Sequence, residues 1–100
     1  MIDKSEICEV SSFKAVVHGK VQGVYFRAFV LDKARQLGLR GMVRNLSTGE
    51  DVEVEAEGKK ENLERLLTFL KQGPKTAIID NLRVEWTEPC HQYIDFRIIY

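Results

Sequence analysis

Two glycines, Gly19 and Gly23, stand between an apolar run and a segment of helical period. Phe13, Ala15 and Val17 alternate with Lys14, Val16 and His18, the pattern of a strand with one apolar face. Phe26, Phe29, Val30, Ala34 and Leu37 recur at helical spacing, and Gly38 supplies a C-terminal stop. The spacing predicts a strand over 13–17 and a helix from about residue 24 to residue 37. Both glycines then fall in a strand-to-helix connection, where glycine permits positive φ and close approach of the backbone to a ligand. The start of a helix adds unpaired N–H groups and the positive end of the dipole, which suit an anion. Arg27 falls in the first helical turn, where the dipole disfavours a cation. The connection is not a Walker loop, because no Gly-Lys-Ser/Thr follows. Nor is it the dinucleotide fingerprint, because Gly19 and Gly23 do not make Gly-Xaa-Gly. On these residues alone, a plain tight turn and an anion-binding loop are equally open.

The rest of the chain alternates clearly. Residues 41–45 make a short strand, residues 47–50 a turn, and Val52, Val54 and Ala56 alternate with Glu53, Glu55 and Glu57 in a second strand. The acidic face of that strand is expected to be solvated. Leu63, Leu66, Leu67 and Leu70 form the buried stripe of a second helix, which Gly73-Pro74 ends. Residues 79–86 form a strand, and Ile94, Phe96, Ile98 and Tyr100 alternate in a terminal one. The order is βαββαβ plus one strand. It predicts an α+β, ferredoxin-like sandwich, with two helices on one face of an antiparallel sheet and an additional short C-terminal strand.

Composition narrows the function. One hundred residues make one domain, and 44% apolar content suffices for one core. Residues 1–12 read as a lead and residues 13–100 as the domain. Fifteen basic and fifteen acidic residues cancel, which argues against duplex nucleic acid or an anionic membrane as partner. The opening residues lack the form of a signal peptide, and no apolar run has the length of a membrane span. Cys8 and Cys90 form no metal-ligand spacing with His18 or His91 and read as two ordinary thiols of a cytoplasmic protein, a disulfide being the lesser option. RNA-reading and metal-carrying versions of this fold need an aromatic strand motif or paired cysteines, and the chain has neither.

Three motifs resemble one family. Gly19-Lys20-Val21-Gln22-Gly23-Val24-Tyr25-Phe26-Arg27 is similar to the acylphosphatase pattern Gly-Xaa-Val-Gln-Gly-Val-Xaa-Phe-Arg. Leu37-Gly38-Leu39-Arg40-Gly41-Met42-Val43-Arg44-Asn45 resembles its Leu-Gly-Leu-Xaa-Gly-Xaa-Val-Xaa-Asn, and Gly73-Pro74-Lys75-Thr76-Ala77 resembles its Gly-Pro-Xaa-Xaa-Ala. The turn after Asn45 is one residue longer than the family's usual one. The resemblance implies hydrolysis of a carboxyl–phosphate mixed anhydride without metal or cofactor. It implies Arg27 as the phosphate-binding arginine and Asn45 as the water-orienting asparagine. It also implies the backbone of Lys20, Val21, Gln22, Gly23, Val24, Tyr25 and Phe26 as the substrate cradle.

The expected partners are therefore a small-molecule acyl phosphate, and inorganic phosphate or sulfate as product or product mimic, met by a monomer. The second possibility is a non-catalytic anion-binding module of the same fold. Asn45 favours the enzyme, since binding alone does not need it. The Lys20 side chain is expected to be an exposed cation, Tyr25 to lie at the site mouth or surface, and His18 and His91 to be structural or surface residues.

Overall fold

The computed structural model describes residues 10–23 and 25–100. The chain runs β1 (Ser11–Lys20), α1 (Phe26–Gln36), β2 (Arg40–Asn45), β3 (Asp51–Gly58), α2 (Lys60–Gln72), β4 (Ile78–Thr87) and β5 (Phe96–Ile99). The five strands form one sheet in the order β4-β1-β3-β2-β5. Alternation decides which side chains the helices cover. Phe13, Ala15 and Val17 of β1 and Val52, Val54 and Ala56 of β3 are buried, together with Val30 and Ala34 of α1 and Leu63, Leu66 and Leu70 of α2. The result is the ferredoxin-like α+β sandwich.

Three strand pairings are antiparallel, but β5 lies parallel to β2, with Gly41 opposite Phe96 and Arg44 opposite Ile99. The sheet is therefore mixed. The reason is topological. β4 and β5 occupy opposite edges, so the connection over residues 88–95 must cross the whole sheet. Four inter-strand spacings of about 4.8 Å give roughly 19 Å, within reach of eight residues at about 3.3 Å each.

That crossing corrects the expected solvation of the acidic face. Glu57 is only 2% exposed. Its carboxylate accepts the His91 backbone N–H at 2.9 Å and faces the Cys90 thiol at 3.8 Å. Glu55 accepts from the Tyr93 hydroxyl at 3.0 Å, and Glu53 lies 3.0 Å from the Arg44 guanidinium. Burial, followed by the Glu55 carboxylate, pushes the Tyr93 hydroxyl up to about 12. His91 takes a positive φ of 56° in this crossing segment, and the Cys90 thiol is free and exposed. Cys8 lies outside the described residues.

Two strand limits also differ from the sequence pattern. β1 continues through His18 and Gly19 to Lys20, with a register shift between His18 and Gly19 against β4. Gly19 thus belongs to the strand, and a Cβ there would run into the Ile78 carbonyl. At the other end, Ile94 and Tyr100 fall outside β5 and are exposed. Pairing with β2 sets the limits of β5, and a period of two cannot register where the partner begins.

Candidate active site

β1 and α1 are joined by residues 21–25, the connection on which the candidate site is centred. Val21 is buried and pins the start of the connection, and Phe26 is buried at the start of α1. Gly23 turns the chain with a φ of 73°. Tyr25, the N-cap residue, has a φ of 60° and ψ of 21°, a left-handed conformation rare outside glycine. Such a residue costs about 1–3 kcal/mol and gathers at ligand sites. No side chain caps α1, and its first turn has no acidic residue. Among the described residues, no capping side chain and no first-turn carboxylate competes for the N–H groups at this helix start. Val24, one of the expected cradle residues, lies outside the described residues.

Arg27 is the second residue of α1 and lies on the wall of a cavity of about 400 Å³. Val21, Gly23, Phe26, Ile98 and Tyr100 contribute to the same wall. The guanidinium stands 5.0 Å from the centroid of the Tyr100 ring. Sequence reasoning missed Tyr100. Its alternation signals only a strand, whereas the parallel pairing of β5 carries the residue after Ile99 to the end of the sheet where β2 also finishes.

Asn45 is the last residue of β2, opposite Val52 of β3. It does not line the Arg27 cavity. Its Oδ1 is buried and has no hydrogen-bond partner among the described residues. Lys20, Val21 and Gln22 line a neighbouring hollow of about 450 Å³ with His18, Glu50 and Asp80. The Lys20 side chain is exposed, as expected, and Tyr25 is 86% exposed at the mouth of the Arg27 cavity.

The connection is also tied to the β2–β3 turn. The Gln22 amide donates through Nε2 to the Leu46 carbonyl and to the Asp51 carbonyl, each at 2.9 Å. The Asp51 carbonyl accepts the Leu46 N–H at 2.9 Å as well. Next to it, His18 Nδ1 donates to Asp51 Oδ1 at 2.8 Å, and the Thr48 hydroxyl donates to Asp51 Oδ2 at 2.6 Å. The hydrogen bond to Asp51 holds the His18 imidazole above its ordinary 6.5, partial desolvation opposes this, and the charges of Asp51, Glu50 and Asp80 add to it. The Thr48 hydroxyl and then His18 hold the Asp51 carboxyl below its usual value.

The profile of the acylphosphatase family matches residues 13–98. The chain belongs to the acylphosphatase family. It is 49% identical to an acylphosphatase of Dehalococcoides mccartyi over 87 residues, covering 87% of this chain and 96% of the relative. It is 53% identical to one of Thermus thermophilus over 74 residues, 74% of this chain and 83% of the relative. Among solved structures, an acylphosphatase from Coxiella burnetii superposes with a TM-score of 0.85 at 37% identity, over 99% of this chain and all of that one. Like these relatives, this acylphosphatase is a hydrolase acting on acyl phosphates. The non-catalytic module is the less favoured reading. No described helix is long and apolar enough to cross a membrane.

Proposed function

We propose that Arg27 and the backbone of residues 20–26 bind the phosphoryl group, and that Asn45 orients the attacking water. The reaction is cleavage of the carboxyl–phosphate bond of an acyl phosphate to a carboxylate and inorganic phosphate. Arginine suits the phosphoryl group because its planar fork can hold two oxygens at once and stays charged at any working pH. The uncapped N–H groups at the start of α1 suit the equatorial oxygens as charge shifts in the transition state. In that step the water oxygen forms a bond to phosphorus while the bond from phosphorus to the carboxyl oxygen breaks. The bonding pair leaves with the carboxylate, and the water proton passes to a phosphoryl oxygen. A carboxylic acid has a pKa of about 4 to 5, so the leaving group departs without a proton donor.

The observation that carries the assignment is the buried Oδ1 of Asn45, which has no partner among the described residues. A buried acceptor without a donor costs about 1–3 kcal/mol and calls for an explanation. A water in transit to the phosphorus would supply that donor. Arg27, the connection, Asn45 and Tyr100 all come from one chain, which supports a monomer. The free Cys90 thiol fits a reducing, cytoplasmic setting. The working domain includes Ser11 and Ser12, where β1 begins, two residues before the limit at 13 that the sequence pattern suggests.

Turnover of acetyl phosphate and benzoyl phosphate, measured beside phosphate-dependent thermal stability, tests the reading. Saturation with phosphate at a hundred times Kd adds about 2.7 kcal/mol to a folded state that binds it. Absence of turnover, or a melting temperature indifferent to phosphate, overturns the assignment.

A further inference from the structure

We propose that Gln22 is a positioning residue: its side-chain amide fixes the distance between the phosphate-binding connection and Asn45. The inference rests on the site assignment above and concerns a side chain which that assignment does not use. Nε2 carries two hydrogens, and two carbonyl oxygens lie 2.9 Å from it, those of Leu46 and Asp51. These residues stand on either side of the neck of the β2–β3 turn, where Leu46 N–H also closes onto the Asp51 carbonyl. Leu46 directly follows Asn45, so one amide links the middle of the connection to the carbonyl of the residue next to Asn45. The turn side of this link is itself braced. The carboxylate of Asp51 is held by His18 from β1 and by Thr48 from the turn, and the Gly19 N–H donates to the Glu50 carbonyl at 3.0 Å.

Glutamine suits the position for a chemical reason. Both acceptors are carbonyl oxygens, so the bridging group must donate twice from one atom. A glutamate of the same length would aim negative oxygen at two carbonyls, and asparagine would stop one methylene short. Reacting groups tolerate little displacement, a shift of about 1 Å costing on the order of a hundredfold in rate. Loss of the amide should therefore appear in kcat while the phosphate contacts of Arg27 remain.

The test is a double-mutant cycle on acetyl phosphate turnover with Gln22→Leu, Asn45→Ala and the pair, with phosphate-dependent melting measured on each. We expect Gln22→Leu alone to lower kcat by roughly ten- to a hundredfold, with KM within about threefold. In the Asn45→Ala background the same change should cost less than about threefold, because there is no longer an Asn45 to misplace. An equal factor in both backgrounds overturns the inference, as does a normal kcat in Gln22→Leu. If Gln22→Leu lacks a folded circular dichroism spectrum, Gln22→Asn takes its place in the cycle. Failure of both to fold also overturns the inference, since the amide would then serve folding and not placement. A wild-type protein without turnover sinks the site assignment and the inference together. A normal wild type with an additive cycle sinks the inference alone.

Discussion

The guanidinium of Arg27 lies over the ring of Tyr100, 5.0 Å from its centroid, although 73 positions separate them in the chain. The side chain proposed to receive phosphate is therefore held in place before substrate arrives. A cation over an exposed ring is worth about 0.5–1 kcal/mol, which corresponds to roughly two- to fivefold in an equilibrium. Tyr100→Ala should raise KM by that factor, and Tyr100→Phe should leave it unchanged. Steady-state kinetics on both variants decide the matter. An unchanged KM in Tyr100→Ala means that the ring does not hold the arginine.

Arg27→Lys keeps the charge and loses the fork. Hydrogen bonds to charged groups contribute about 1.5–3 kcal/mol, so kcat/KM should fall by roughly ten- to a hundredfold. Arg27 is not among the buried core residues, so the variant should melt close to the wild type. Near-normal kcat/KM would remove Arg27 from the binding role.

Asn45→Ala separates function from stability. Loss of one polar contact made in the transition state costs about 3–4 kcal/mol, or two to three orders of magnitude in kcat at little change in KM. The same change deletes a buried acceptor that has no partner among the described residues, so the melting temperature should hold or rise. A marked loss of thermal stability would contradict this, because it would mean that Oδ1 has a partner in the folded protein.

The His18–Asp51 pair should give stability a defined pH window. His18 has a folded-state pKa above 6.5, so its contribution is complete below that value and disappears as pH rises through the folded value. Asp51 has a lowered folded-state pKa, so its contribution is present above the ordinary carboxyl range and disappears as pH falls through the folded value. Melting curves of wild type and His18→Gln should differ most in weakly acidic buffer and converge in alkaline buffer. A gap that widens with rising pH would mean the imidazole is not paired as a cation.

Turnover should continue in excess EDTA. The leaving carboxylate needs no Lewis acid to depart, and an arginine fork with backbone N–H groups can carry the phosphoryl charge. Activity lost on chelation and restored by a divalent ion would require a different site.

The parts of the fold visible in the sequence are those set by local period. The stripe Leu63, Leu66 and Leu70, the alternation of Val52, Val54 and Ala56, and the exit at Gly73-Pro74 all emerge as read. Arg27 in the first turn of α1 and Asn45 at the end of β2 were equally legible. Features that depend on the path between elements were not. Glu57 reads as a solvated strand residue until the crossing segment supplies His91 and Cys90. Tyr100 reads as one more strand position until the parallel pairing of β5 brings it to Arg27. The side chain of Gln22 has no sequence signal for its two acceptors, since both are backbone carbonyls, which any residue could supply.

The parallel pairing of β5 also has a consequence in time. A ribosome releases the connection over residues 21–25 long before the strand Phe96–Ile99 emerges. Until that strand has docked beside β2, no ring can lie beneath the arginine. The site is complete only when the strand at the far edge of the sheet has taken its place beside β2.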